Sequence, residues 1–168
     1  MARLLLYCDQ ISHDDCAGAG SLLMSDTVDS STLDLFERSL ARCEARPGFL
    51  DLFYEKFITS SPEVAGKFAG TDFVRQKRAL KASFHHLLLV AHDRKQTPDA
   101  YLSDVAVRHG SGQLEVGASL YDFWLDSLLE TVKACDPEWS LEVDHAWEAV
   151  MMVGIHYLCQ SYHGRHEK

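Results

Sequence analysis

Leu102, Val105, Ala106 and His109 recur at i, i+3, i+4 and i+7, and Gly110-Ser111-Gly112 breaks the run immediately after the histidine. That spacing places one imidazole on the apolar face of a helix, at its end. A single neutral imidazole on a rigid helix is what a haem iron takes on its proximal side. A core histidine satisfied by a backbone carbonyl has the same sequence pattern, so both readings stand at this point. The other histidines lack a partner at ligand spacing. His13, His163 and His166 fall in expected tails, His85, His86 and His92 share one helix, and His145 and His156 share another. No H-E-x-x-H pattern or close His/Asp/Glu cluster with zinc spacing occurs. The five cysteines (Cys8, Cys16, Cys43, Cys135, Cys159) are widely spaced, without C-x-x-C for zinc or dithiol chemistry or C-x-x-C-H for covalent haem attachment. They read as free thiols packed in a reducing compartment.

The elements that must position His109 are helices throughout. Ser31 is the expected N-cap of a first helix through Leu33, Leu35, Phe36, Leu40 and Cys43, and Pro47 the expected start of a second through Phe49, Leu50, Phe53, Tyr54 and Phe57. Ser61-Pro62-Glu63 caps a short turn ending at Phe68. Gly70-Thr71-Asp72 precedes a long helix with Phe73, Gln76, Leu80, Phe84, Leu87, Leu88 and Ala91 along one face. Thr97-Pro98-Asp99 starts the helix that ends at His109. Two more follow, through Leu120, Phe123, Trp124, Leu128 and Val132 to Asp136-Pro137, and through Val143, Trp147, Val150, Met151, Gly154, Ile155 and Leu158. Alternating or hairpin patterns are missing, so the fold class is all-α.

Composition narrows the function. A chain of 168 residues with 46% hydrophobic content is one domain's length. Residues 1–29 read as a disordered or mis-annotated extension, with Met24 a plausible alternative start, residues 30–163 as the domain and residues 164–168 as a tail. The formal charge of −9 disfavours a phosphate backbone as partner. Leu4-Leu5-Leu6-Tyr7-Cys8 is too short for a signal-peptide core or a membrane span, so the expected location is cytoplasmic.

The order of these features resembles a protein family. Phe53-Tyr54-Glu55-Lys56-Phe57, then Ser61-Pro62-Glu63 and Phe68, look like the second and third helices of a single-domain bacterial globin. Thr71-Asp72-Phe73-Val74-Arg75-Gln76 with Leu80 resembles the helix over the distal face of the haem, and Val107-Arg108-His109 followed by Leu120-Tyr121 resembles the proximal stretch. The likeness extends over about residues 30–162 and reaches the globin module of flavohaemoglobins and the sensor globins. It implies a globin-like helical fold of the 3-on-3 type around non-covalent haem b. His109 becomes the proximal iron ligand, Phe68 the ring packed on the haem, Tyr54 the distal hydroxyl, Gln76 the distal amide, Leu80 the residue closing the pocket and Tyr121 the tyrosine beside the proximal histidine. Gln76 and Leu80 are four residues apart, roughly 6 Å along one helix face, so both can meet one ligand.

Two departures stand out. Tyr162 takes the place where flavohaemoglobins carry a proximal glutamate, leaving a Tyr–Glu relay to the histidine incomplete. The segment from Phe68 to Gln76 is about two residues shorter than the flavohaemoglobin pattern and that from His109 to Tyr121 about two longer, which makes Lys77 the competitor of Gln76 for the distal position. The resemblance implies binding of O2, and of NO or CO, for sensing or scavenging. An alternative is nitric-oxide dioxygenation, which needs a separate reductase because no G-x-G-x-x-G fingerprint or flavin half is present. A haem-free signalling module on the same fold is the third reading. Trp124, Trp139 and Trp147 on the last two helices are offered as an exposed homodimer face.

Overall fold

The computed structural model of the chain describes residues 28–92, 100–109 and 118–163. Regular structure among the described residues is entirely α-helical: α1 (Ser30–Ala45), α2 (Phe49–Ser60), α3 (Pro62–Lys67), α4 (Phe73–His92), α5 (Ala100–His109), α6 (Ala118–Cys135) and α7 (Leu141–His163). The expected tails, apart from Val28 and Asp29, lie outside the described residues, as do Thr97-Pro98-Asp99 and Gly110-Ser111-Gly112.

Helix entries follow local chemistry, with two shifts from expectation. Asp29, not Ser31, caps α1: its carboxylate accepts from the Thr32 N–H at 3.0 Å and the Thr32 hydroxyl at 2.6 Å, and Ser31 also donates to it. A charged two-oxygen acceptor outcompetes a hydroxyl for the open amides of a first turn, so the helix begins two residues earlier than a Ser31 cap implies. The second helix opens at Phe49 rather than Pro47, because Gly48 intervenes in the left-handed region (φ +83°), which favours glycine and interrupts a right-handed helix. Ser61 caps α3 as expected, accepting from the Glu63 N–H at 3.2 Å. Asp72 performs the same service for α4, accepting from Val74 N–H at 3.0 Å and Arg75 N–H at 3.1 Å.

The long last helix organises the packing. α7 contacts α1, α4, α5 and α6, while α2 lies on α6 and α3 folds back on α2. A helix with four neighbours must be apolar on several faces, and Val143, Trp147, Val150, Met151, Val153 and Ile155 are all buried on it. Gly154 lets α4 approach: a Cβ there would lie 2.5 Å from Leu87 Cδ2. Trp147 is completely buried, with its ring in edge contact with Phe36, Phe49 and Phe84 at centroid distances of 4.7, 6.3 and 5.4 Å. This removes Trp147 from any exposed dimer face. Trp124 and Trp139 pack partly buried against the core, and Lys133 Nζ sits 4.6 Å over the Trp139 ring.

A polar clasp ties the two chain ends of this core together. The Trp147 indole N–H donates to Ser39 Oγ at 2.9 Å, Ser39 donates to Asp136, and Arg42 donates two bonds to the same carboxylate at 2.6 and 2.8 Å. Burial raises the Asp136 pKa, but Arg42, Ser39 and the Glu138 N–H together outweigh it and hold the carboxyl below its ordinary value. A depressed carboxyl contributes stability above the unfolded-state value and loses it as pH falls through the folded one, so the clasp weakens below about pH 4. Asp136→Ala leaves Arg42 and Ser39 without their acceptor and should cost about 3 kcal/mol of unfolding free energy at neutral pH. Asp136→Asn should flatten the acid limb of stability in urea titrations across pH 3–6. A wild-type acid limb in the Asn variant would remove Asp136 as its source.

Candidate functional site

The half of the candidate site expected to be distal is assembled by α2, the end of α3 and the start of α4. Tyr54 lies on the inner face of α2, 4% exposed, beside Phe53 and Phe57 of the same helix. Its phenol neighbours the Gln76 side chain on α4. Burial pushes the phenol pKa up to about 12, with the Gln76 side chain acting in the opposite direction. Phe68, at the C-terminal cap of α3, is half-buried with its ring centroid 5.9 Å from Tyr54 and 5.5 Å from Phe57. Phe73, in the first turn of α4, meets Tyr54 edge-on at 5.4 Å and lies nearly parallel to Phe68 at 6.2 Å. Leu80 is buried one turn beyond Gln76.

The register between Gln76 and its neighbour has a clear arrangement here. Gln76 turns toward Tyr54, while Lys77 forms an ion pair with Asp51 on the outer edge of α2. Adjacent residues on a helix point about 100° apart, so these two cannot share a task. The inner pair is Tyr54–Gln76 and the outer pair Asp51–Lys77.

The half expected to be proximal is formed by α5, α6 and α7. His109 is the last residue of α5, and its Nδ1 lies 2.9 Å from the Val105 carbonyl one turn back. A carbonyl can only accept, so Nδ1 carries the proton and Nε2 presents its lone pair. Burial lowers the His109 pKa, the bond to Val105 works the other way, and the Arg108 charge adds to the lowering. The ring is therefore neutral in neutral solution. Arg108 itself turns out to Asp104 on the exposed side of α5. The His109 ring stacks on Tyr121 of α6, with centroids 6.5 Å apart at 24°. Burial raises the Tyr121 pKa far above its ordinary value, and the nearby Cys159 of α7 adds to this.

The two halves join through one apolar cluster that contains Tyr54, Leu80, Leu102 and Tyr121, with Phe68 and Phe73 packed against it. Val105's carbonyl, Phe73's contact with Tyr54 and Cys159 beside Tyr121 escaped the sequence reading. A backbone acceptor has no residue type to betray it, and the other two depend on helix packing. The side chain of Tyr162 lies outside the described residues, although α7 runs through its position.

The other histidines have different surroundings. His85 reaches the Glu44 carboxylate at 3.1 Å, and His86 Nδ1 lies 3.2 Å from the Ala82 carbonyl on its own helix. Among the described residues no cluster of three or more His, Cys, Asp or Glu could hold a metal ion. Cys43 and Cys135 are buried free thiols, and Cys159 is buried as well. No helix among the described residues is long and apolar enough to cross a membrane. Two surface grooves, one of 550 Å³ between α1 and α7 around His145 and one of 300 Å³ around Pro47 and Lys81, include neither His109, Tyr54 nor Gln76 in their walls.

The chain matches no family model and no curated protein. Among solved structures it is similar to a Pseudomonas aeruginosa PAO1 protein described as structurally highly homologous to a human hemoglobin. The two are 36% identical, the match covers 78% of this chain and 98% of that one, and the TM-score is 0.72. Seven helices in this arrangement, with that likeness across a whole relative, settle the fold as all-α and hemoglobin-like: the chain belongs to the globin family.

Proposed function

We propose that this globin is a haem-b protein that reversibly binds O2, and NO or CO, through His109. The observation that carries the reading is the way His109 is held: its Nδ1–H is given to the Val105 carbonyl, so a neutral Nε2 is left at the end of a rigid helix. Donors and walls of the right chemistry accompany it: one apolar cluster contains both Tyr121, on which His109 stacks, and Tyr54, beside which Gln76 lies. Haem b, when bound, supplies an iron that takes a small diatomic gas as its ligand. His109 would hold the iron, Phe68 and Leu80 would pack on the ring, and Tyr54 and Gln76 would donate hydrogen bonds to the gas. O2 accepts such bonds and CO scarcely does, so the pair favours O2.

The acceptor facing His109 also bears on which globin chemistry this is. A proximal imidazole bonded to a carboxylate becomes electron-rich, and that suits oxygen activation. A peptide carbonyl is a neutral, weaker acceptor and suits reversible binding. This favours a binder over a nitric-oxide dioxygenase, which would in addition draw electrons from a separate reductase.

Addition of haem to the full-length chain, followed by absorption spectroscopy, tests the proposal. The expected result is a Soret band at one haem per chain and reversible shifts with O2 and CO in the ferrous form. Absence of a Soret band distinct from free haem would leave only a haem-free module on the globin fold. Sustained nitrate production from NO with a reductase would move the protein into the enzyme class.

A further inference from the structure

Phe73, in the first turn of α4, packs edge-on against Tyr54. It is half-buried and packed against the core, with the exposed Val74 immediately after it. On α4 it lies three residues before Gln76 and seven before Leu80, which puts all three on one helix face. Helical side chains lean toward the N-terminus, so residue 73 covers the open end of the turn that carries Gln76. Inward, its ring meets Tyr54 at 69° and runs nearly parallel to Phe68 at 20°. Phe68 meets Tyr54 at 56°, so the three ring centroids form a triangle with sides of 5.4, 5.9 and 6.2 Å, in which the phenol lies beside the Phe68–Phe73 pair and Phe73 packs on one flank of it. The Tyr54 hydroxyl on this ring neighbours the Gln76 amide one turn beyond Phe73, and water is their natural competitor.

We propose that Phe73 is a positioning residue that aims the Tyr54 hydroxyl at Gln76 and keeps water off the pair, thereby setting how long a hydrogen-bond-accepting gas stays bound. The inference rests on the gas-binding reading for its consequence, but the positioning itself belongs to the polypeptide. Removal of the ring frees the phenol to turn toward solvent and lets water bond both groups. A mere wall residue would alter the rate of gas entry and exit equally whether or not residue 54 carried a hydroxyl. A positioning residue acts only through that hydroxyl.

The experiment uses the full chain with and without haem. In haem-free protein with its six tyrosines replaced by 3-fluorotyrosine, the Tyr54 fluorine resonance is assigned by its loss in Tyr54→Phe. Phe73→Leu should at least double the H2O/D2O solvent shift of that resonance, and Phe73→Tyr should restore it. In the haem-loaded protein Phe73→Leu should raise the O2 dissociation rate about three- to tenfold, the range expected for loss of one aromatic contact. In the Tyr54→Phe background the same change should have no further effect. An unchanged fluorine shift, or an equal rate change in both backgrounds, overturns the proposal. Should the chain fail to bind haem, the gas-binding reading falls and the fluorine result alone decides the position of Phe73. Phe73→Met replaces the leucine variant if the latter fails to fold.

Discussion

His109→Ala should abolish normal five-coordinate ferrous ligation, and added imidazole should restore it. The expectation follows from the arrangement of a single ring. Its Nδ1 is committed to Val105 at 2.9 Å, its face to Tyr121, and its burial keeps it neutral, so the Nε2 lone pair is preorganised and needs no deprotonation. Haem affinity should fall at least about 100-fold, on the order of 3 kcal/mol, since the apolar walls retain only the hydrophobic share of binding. The alanine leaves a space about the size of the lost ring, which free imidazole fills from solution. Because His109 ends α5 and is only partly buried, the variant should keep its helical content by circular dichroism. Unchanged ferrous spectra would transfer the ligand role to another imidazole and leave His109 as a core histidine satisfied by a carbonyl.

Much of this molecule could be read in advance because globin helices carry strong periodicity, and that periodicity also put His109 at a helix end. The errors have physical origins. Ser31 and Asp29 both suit a cap, and only the geometry of the first turn decides between a hydroxyl and a carboxylate. Trp147 looked superfluous to a core because its N–H partner, Ser39, is 108 residues away and belongs to a clasp that includes Asp136. No local pattern encodes contacts at that separation. The distal position is similar: the short connection from Phe68 to α4 leaves Lys77 as a competitor to the expected Gln76. Which of them faces inward depends on where α4 rotates against α2, and here Lys77 pairs with Asp51 while Gln76 neighbours Tyr54. Val105's part in orienting His109 has no residue type at all, since any residue offers a carbonyl.

The Tyr54–Gln76 pair also determines what loss of the phenol does. Tyr54→Phe removes one donor and leaves the ring, so the aromatic contacts with Phe53, Phe68 and Phe73 persist and the fold should be little affected. A ligand that accepts hydrogen bonds loses the phenol and gains nothing, because phenylalanine offers no substitute at a position only 4% exposed. In so dry a place one neutral hydrogen bond is worth about 1–1.5 kcal/mol, which corresponds to roughly a five- to twelvefold faster O2 dissociation by stopped-flow. CO, a poor acceptor, should leave at nearly the wild-type rate, and the ratio of the two changes is the diagnostic quantity. Gln76→Leu probes the other donor. In the gas-free molecule the amide and the phenol are neighbours, so removal of either changes the surroundings of its partner, and the double variant should lose less than the sum of the two single losses. An O2 rate unchanged in Tyr54→Phe but raised in Gln76→Leu would assign the ligand bond to the amide and reduce the phenol to its orienting partner.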